Sequence, residues 1–247
     1  MATTVHCLHG ILQSPTVWSG FEARLGDQAR SAVRVVPEVV DPPEAGGLAA
    51  WAEAFCGRTG GDPADGSPRV LLGYSLGGRL AMHALLVCPR SWSAVVLVAA
   101  HPGGGTDAER AAVRSRDAAW AERCRRDRWE DLLADWDALP VFGGRPNRAP
   151  RPPAGLDRER HARTFEAFSR GGQADLRPRL AATALPPVLY VTGADDARYG
   201  ALGDELAEFV PAITHVVVPD AGHRVPWDQP GEFAETVGRF LREVGRL

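Results

Sequence analysis

The sequence predicts an α/β fold: a mostly parallel central sheet flanked by helices on both faces, carrying a short inserted helical cap. Three observations predict it. Short apolar, β-branched runs followed by Gly or Pro recur along the chain. Stretches with apolar residues three and four apart lie between them. One long segment, from about Pro102 to Leu185, breaks the alternation.

The strand-like runs are Val5–Leu8, Val33–Val36, Val70–Leu72, Ala94–Ala99, Val188–Thr192 and His215–Val218. Each has the size of a strand buried on both faces. Leu76–Cys88 places Leu76, Leu80, His83, Ala84 and Val87 on one helical stripe; Phe233, Val237, Phe240, Leu241 and Val244 do the same near the C-terminus. The segment after Pro102 is rich in Arg, Asp and Glu and has no clear strand. It predicts helices at Asp107–Arg126, Trp129–Leu139 and Asp157–Ser169, with a Gly/Pro/Arg-rich loop over Gly143–Gly155. The chain therefore divides into a core of residues 1–101 and 186–247 and a cap of residues 102–185. The cap is expected over the C-terminal edge of the sheet, where open α/β sheets bind ligands.

Composition narrows the function. Apolar residues are 45% and charged residues 24%, ordinary for a chain that buries a sizeable core. A net charge of −3 gives no reason to expect nucleic acid or an anionic membrane as partner. No stretch has the length of a membrane span, and no basic leader opens the chain, so a soluble, cytoplasmic protein is expected. All 28 basic residues are arginine, which excludes a catalytic lysine. Cys7, Cys56, Cys88 and Cys124 are far apart, with no C-x-x-C pair and no metal-ligand spacing; a reducing setting fits, and no metal is expected.

Chemistry concentrates in Val70-Leu71-Leu72-Gly73-Tyr74-Ser75-Leu76-Gly77-Gly78, an apolar strand running through G-x-S-x-G into a helix. Such a serine sits on a strained turn with its hydroxyl exposed, and the flanking glycines leave room where a Cβ would strike backbone. The helix start points N–H groups, led by that of Leu76, at a developing oxyanion. His9-Gly10 follows the first strand and suits a second donor, the N–H of Ile11, with His9 beside the substrate. His223 follows the last strand and is the candidate base. The orienting acid belongs after the preceding strand, where Asp195 and Asp196 compete; the G-x-x-D spacing favours Asp196. His6, His83, His101 and His161 read as packed or surface residues.

Together these residues resemble the α/β-hydrolase superfamily, over the chain from His9 to the C-terminal helix. A narrower likeness rests on Gly73-Tyr74-Ser75-Leu76-Gly77-Gly78-Arg79-Leu80-Ala81-Met82, His101-Pro102-Gly103, Asp135-Trp136 with Pro140-Val141-Phe142, and Gln173-Ala174-Asp175-Leu176. These are similar to the 2-succinyl-6-hydroxy-2,4-cyclohexadiene-1-carboxylate synthases of menaquinone biosynthesis. That resemblance implies a Ser75–His223–Asp196 triad used as a base to eliminate pyruvate, with no cofactor. It also implies a small, carboxylate-bearing substrate held by Arg79, with Tyr74 and Trp136 lining the pocket. Arg79 lies four residues after Ser75 and leans back toward the elbow, where a guanidinium can pair bidentately with a carboxylate. The family also carries an arginine on the first cap helix where Val113 stands here, with Arg110, Arg114 and Arg116 nearby. Two alternatives stand beside the lyase: a serine hydrolase of esters, thioesters or C–C bonds working through an acyl-enzyme, and a non-catalytic binding module. The presence of all three triad residues argues against the module. A monomer or a homodimer is expected.

Overall fold

The computed structural model describes residues 2–25, 32–59, 66–150 and 157–246. Six strands form one sheet: β1 (Thr3–Leu8), β2 (Val33–Glu38), β3 (Arg69–Tyr74), β4 (Ala94–Val98), β5 (Val188–Gly193) and β6 (Ile213–Val218). Their order is β2-β1-β3-β4-β5-β6, and every neighbouring pair is parallel. Each strand run read from the sequence coincides with one of these strands. β3, β4 and β5 are buried almost throughout, which is why they read as unbroken apolar runs.

Helices cover both faces. On one side lie α1 (Leu48–Thr59), α2 (Leu76–Val87) and, after β5, the helix Ala197–Phe209. Their Phe55, Leu80, Leu85 and Leu206 pack with Leu71, Val95 and Tyr190 of the strands. On the other side the helix Pro230–Glu243 lays Phe233, Val237, Phe240 and Leu241 against Val70, Val96 and Leu189. Each fully buried Leu or Phe contributes about 1.5–3 kcal/mol relative to exposure.

The sheet changes direction between β1 and β3. From β1 the chain runs outward to β2, then returns across β1 to build the other four strands. The crevice at the C-terminal ends of β1 and β3 is the topological switch point of such a sheet. His9-Gly10-Ile11 and Ser75-Leu76 both emerge there.

Between β4 and β5 every regular element is helical among the described residues. The α-helices are α3 (Asp107–Arg126), α4 (Trp129–Asp137), α5 (Arg158–Ala167) and α6 (Arg177–Ala182), with short 3-10 turns at Pro140–Phe142 and Arg170–Gly172. α3 opens with a capping box: the Thr106 side chain accepts from the Glu109 N–H, and Glu109 accepts from the Thr106 N–H. The segment has its own core of Trp120, Trp129, Leu132, Leu133, Ala162 and Phe165, into which Leu12 inserts from the loop after β1. The loop expected over Gly143–Gly155 lies partly outside the described residues.

The cysteines depart from the sequence reading. Cys56, near the end of α1, and Cys88, the residue after α2, form a disulfide with a Cα–Cα distance of 6.2 Å. They stand 32 residues apart, and only the packing of α1 beside α2 brings them together. Cys7 and Cys124 are free and buried, and burial raises the pKa of both thiols. No described helix is long and apolar enough to cross a membrane.

Candidate active site

Ser75 stands between β3 and α2 with φ 52° and ψ −109°, a left-handed conformation that costs a non-glycine residue roughly 1–3 kcal/mol. The surroundings impose it. The Ser75 N–H donates to the Val98 carbonyl at 2.8 Å, tying the turn to β4. A Cβ on Gly73 would collide with the Gly77 carbonyl and the Gly78 Cα; one on Gly77 would collide with the carbonyls of Leu8 and His9. The two glycines thus let the strand fold back onto its helix and let that helix press against the end of β1. This close approach brings the first turn of α2, with Leu76, beside the loop carrying Ile11.

The three candidate residues from three loops meet here. The His223 Nε2 lies 3.3 Å from the Ser75 Oγ, and its Nδ1 lies 2.7 Å from the Asp196 Oδ2. A carboxylate only accepts, so Nδ1 carries the proton and the Nε2 lone pair faces the serine hydroxyl. His223 and Asp196 are both buried. The Asp196 Oδ1 also accepts from the Tyr199 N–H at 3.3 Å, capping the following helix and fixing the carboxylate. Asp195 points elsewhere, pairing with Arg145 at the surface. The imidazole is enclosed by the rings of Tyr199, Tyr74 and Phe142, with centroids at 4.6, 5.6 and 5.9 Å.

Ser75 opens into a narrow cavity of ≈ 30 Å³ between the sheet edge and the helical segment. Ile11, Leu12, Trp136 and Phe142 supply apolar wall; Gln13, Tyr74, Asn147 and Arg224 supply polar groups. Tyr74 is wedged edge-on to Trp227 at 4.8 Å, and burial drives its pKa upward. Trp136 packs against Trp120, Phe142 and Phe165.

Two residues expected to touch substrate lie off this wall. Burial pulls the pKa of His9 down to about 4, so it is neutral. Its Nδ1 donates to the Gly10 carbonyl at 2.9 Å, and its Nε2 accepts from the Val40 N–H at 3.4 Å, so both nitrogens are spent on shaping the loop after β1. Arg79 is buried, its pKa drawn down to about 10 by desolvation, and still charged at neutral pH. Its Nε donates to the Gln173 Oε1 at 2.6 Å and its Nη2 to the Phe168 carbonyl at 2.7 Å. Arg79 therefore clamps the end of the helical segment, because the side chain leans past the elbow toward residues 168–173. On α3, Arg110 and Arg114 donate to the Gly171 carbonyl and Arg116 pairs with Asp117, while Val113 is buried.

Sequence reasoning missed Arg224. It is 4% exposed, lines the cavity, and pairs through Nη2 with the Asp137 Oδ1 at 2.5 Å. Its guanidinium carbon sits 3.5 Å from the centroid of the Phe142 ring. Its only signal in the sequence is adjacency to His223. Among the described residues no group of His, Cys, Asp and Glu side chains is placed to hold a metal ion.

Comparison with known proteins fits this geometry. Residues 7–236 match the model of an alpha/beta hydrolase family. A 2-succinyl-6-hydroxy-2,4-cyclohexadiene-1-carboxylate synthase from Klebsiella pneumoniae subsp. pneumoniae is 36% identical over 176 residues, covering 69% of this chain and 67% of that protein. The synthase of the same name from Citrobacter koseri is 35% identical, covering 70% and 68%. Among solved structures, MenH from S. aureus superposes with a TM-score of 0.82 at 19% identity, covering 98% of this chain and 94% of that one. A thermophilic esterase from Thermogutta terrifontis gives a TM-score of 0.69 at 20% identity, over 99% and 91%. With its six-stranded parallel sheet flanked by helices, and with synthases as relatives at about a third identity, the chain belongs to the α/β-hydrolase family.

Proposed function

We propose that this protein is a lyase of the 2-succinyl-6-hydroxy-2,4-cyclohexadiene-1-carboxylate synthase type, eliminating pyruvate from a carboxylate-bearing cyclohexene. The observation that carries the reading is the 3.3 Å approach of the His223 Nε2 to a serine hydroxyl at the mouth of a cavity. Asp196 fixes the histidine tautomer. The Ser75 proton moves to Nε2, and the serine oxygen, now alkoxide-like, takes a proton from a ring carbon. The electron pair left behind passes into the ring, the carbon–oxygen bond to the enolpyruvyl group breaks, and the enolate of pyruvate departs with that bond's electrons. The enolate takes a proton on its methylene carbon from the His223 imidazolium, which yields pyruvate and returns the triad to its starting state. The Ile11 and Leu76 N–H groups stabilise the negative charge that builds up. The helical segment over the elbow is the cap of this reading, shielding the reacting atoms from water. No step requires a cofactor.

A second reading uses the same atoms. Ser75 attacks an ester carbonyl and forms an acyl-enzyme, as the fold shared with an esterase allows. The two are separated by one pair of assays. Incubation with the cyclohexene precursor is expected to release pyruvate at a rate far above background. p-Nitrophenyl acetate is expected to give no burst. A burst of p-nitrophenol without pyruvate release would reverse the assignment.

A further inference from the structure

The cavity contains one charged side chain among its described lining residues, Arg224, and that side chain is incompletely satisfied. Its Nη2 is committed to Asp137, and its face lies on the Phe142 ring. The Tyr74 hydroxyl is within hydrogen-bonding reach of the guanidinium, and Asp228 acts on it through its charge. Its Nη1 is sealed from solvent and has no hydrogen-bond partner. A buried guanidinium N–H without an acceptor is costly, and native proteins rarely tolerate one without a reason.

The placement suggests the reason. Arg224 follows His223 directly, so its backbone is held by the same loop that positions the imidazole. Asp137 and Phe142 hold it from the helical segment. The guanidinium is thus fixed from both sides, on a side chain that lines the same cavity as Ser75, with one donor left over. Arginine suits the task because it stays charged when desolvated and offers several donors in one plane. Arg79, four residues beyond Ser75, already spends two of its nitrogens on Gln173 and Phe168.

We propose that Arg224 is the carboxylate anchor of this cavity: its Nη1 donates to a carboxylate oxygen of the substrate and sets which anionic ligands are accepted. This rests on the reading of the site as one for a carboxylate-bearing substrate, and it assigns that recognition to a residue outside the triad.

The test uses the full-length protein and two probes of equal size, succinate and its neutral diamide, followed by the fluorescence of the tryptophans, one of which, Trp136, lines the cavity. The wild type is expected to bind succinate at least about tenfold more tightly than the diamide. Arg224→Gln is expected to lose that preference while keeping its affinity for the diamide, and Arg224→Lys to restore part of it. With the cyclohexene precursor, Arg224→Gln is expected to raise KM about 10- to 100-fold and to change kcat much less. Equal binding of the two probes by the wild type, or an unchanged preference in Arg224→Gln, overturns the anchor. Should Arg224→Gln melt at a much lower temperature, Arg224→Lys and the wild-type preference decide alone. If succinate is anchored but the wild type releases no pyruvate, the synthase reading fails and the anchor stands. If the wild type releases pyruvate and Arg224→Gln leaves KM unmoved, the synthase reading stands and the anchor fails.

Discussion

The sheet edge and the helical segment above it are built on different principles. At the sheet edge, position is enforced by backbone meeting backbone: Gly73, Gly77 and the Ser75–Val98 hydrogen bond leave the elbow no alternative conformation. In the helical segment, position depends on side chains, with aromatic rings inside and arginine–carboxylate pairs such as Arg125 with Glu159 and Glu166 outside. The two meet through Arg79 and Arg224 from the core, through Leu12 inserting upward, and through Phe168, Leu176 and Leu180 of the segment, which pack into the core beside the sheet. The lesson is that the elbow is held by packing no substitution can easily imitate, while the segment above it is held largely by side chains that can be exchanged.

This contrast can be broken from either side. The largest effect is expected from His223→Ala, which removes the proton acceptor but no backbone contact: kcat should fall by at least about 10³-fold with little change in melting temperature. Next comes Gly73→Ala. A methyl group there must displace the carbonyl of Gly77, so denaturant unfolding should register a loss of at least about 3 kcal/mol, with activity falling as the elbow shifts. Arg79→Ala acts on the seam between the regions. It orphans the Gln173 side chain and the Phe168 carbonyl, and should cost about 3 kcal/mol in the same measurement.

The most diffuse effect is acid sensitivity, spread over several rings. Burial lowers the pKa of His9, His83 and His161 to about 4 and that of His101 to about 3, against an ordinary value of 6.5. Between pH 6.5 and 4 the unfolded chain therefore binds more protons than the folded one, and stability falls as pH drops through that window. Melting temperatures at pH 7 and pH 5 should differ accordingly. His161→Gln, within the helical segment, should shrink the difference, while a pH-independent melt would contradict the burial of these rings.

Much of this is legible in the sequence because the sheet writes itself plainly. Buried parallel strands are unbroken runs of Val, Leu and Ala, and each loop carrying a candidate residue follows one directly, which is how Ser75, Asp196 and His223 can be placed from the sequence alone. The helices Leu48–Thr59 and Ala197–Phe209 are less legible: alanine and glycine fill their sequences and blur the apolar stripe. Arg79 reads as a substrate ligand because spacing tells which way a side chain leans but not what it meets. Arg224 and the Cys56–Cys88 pair escape for the same reason. Their significance lies in neighbours 87 and 32 positions away, and a one-dimensional pattern carries no trace of either contact.

The central claim is that the hydroxyl of Ser75, driven by His223, begins the reaction. Pyruvate release from the cyclohexene precursor, measured side by side for the wild type and Ser75→Ala at matched fold stability, tests it most directly. A drop of at least about 10³-fold in kcat is the predicted result. Retention of the wild-type rate without that hydroxyl would contradict the account.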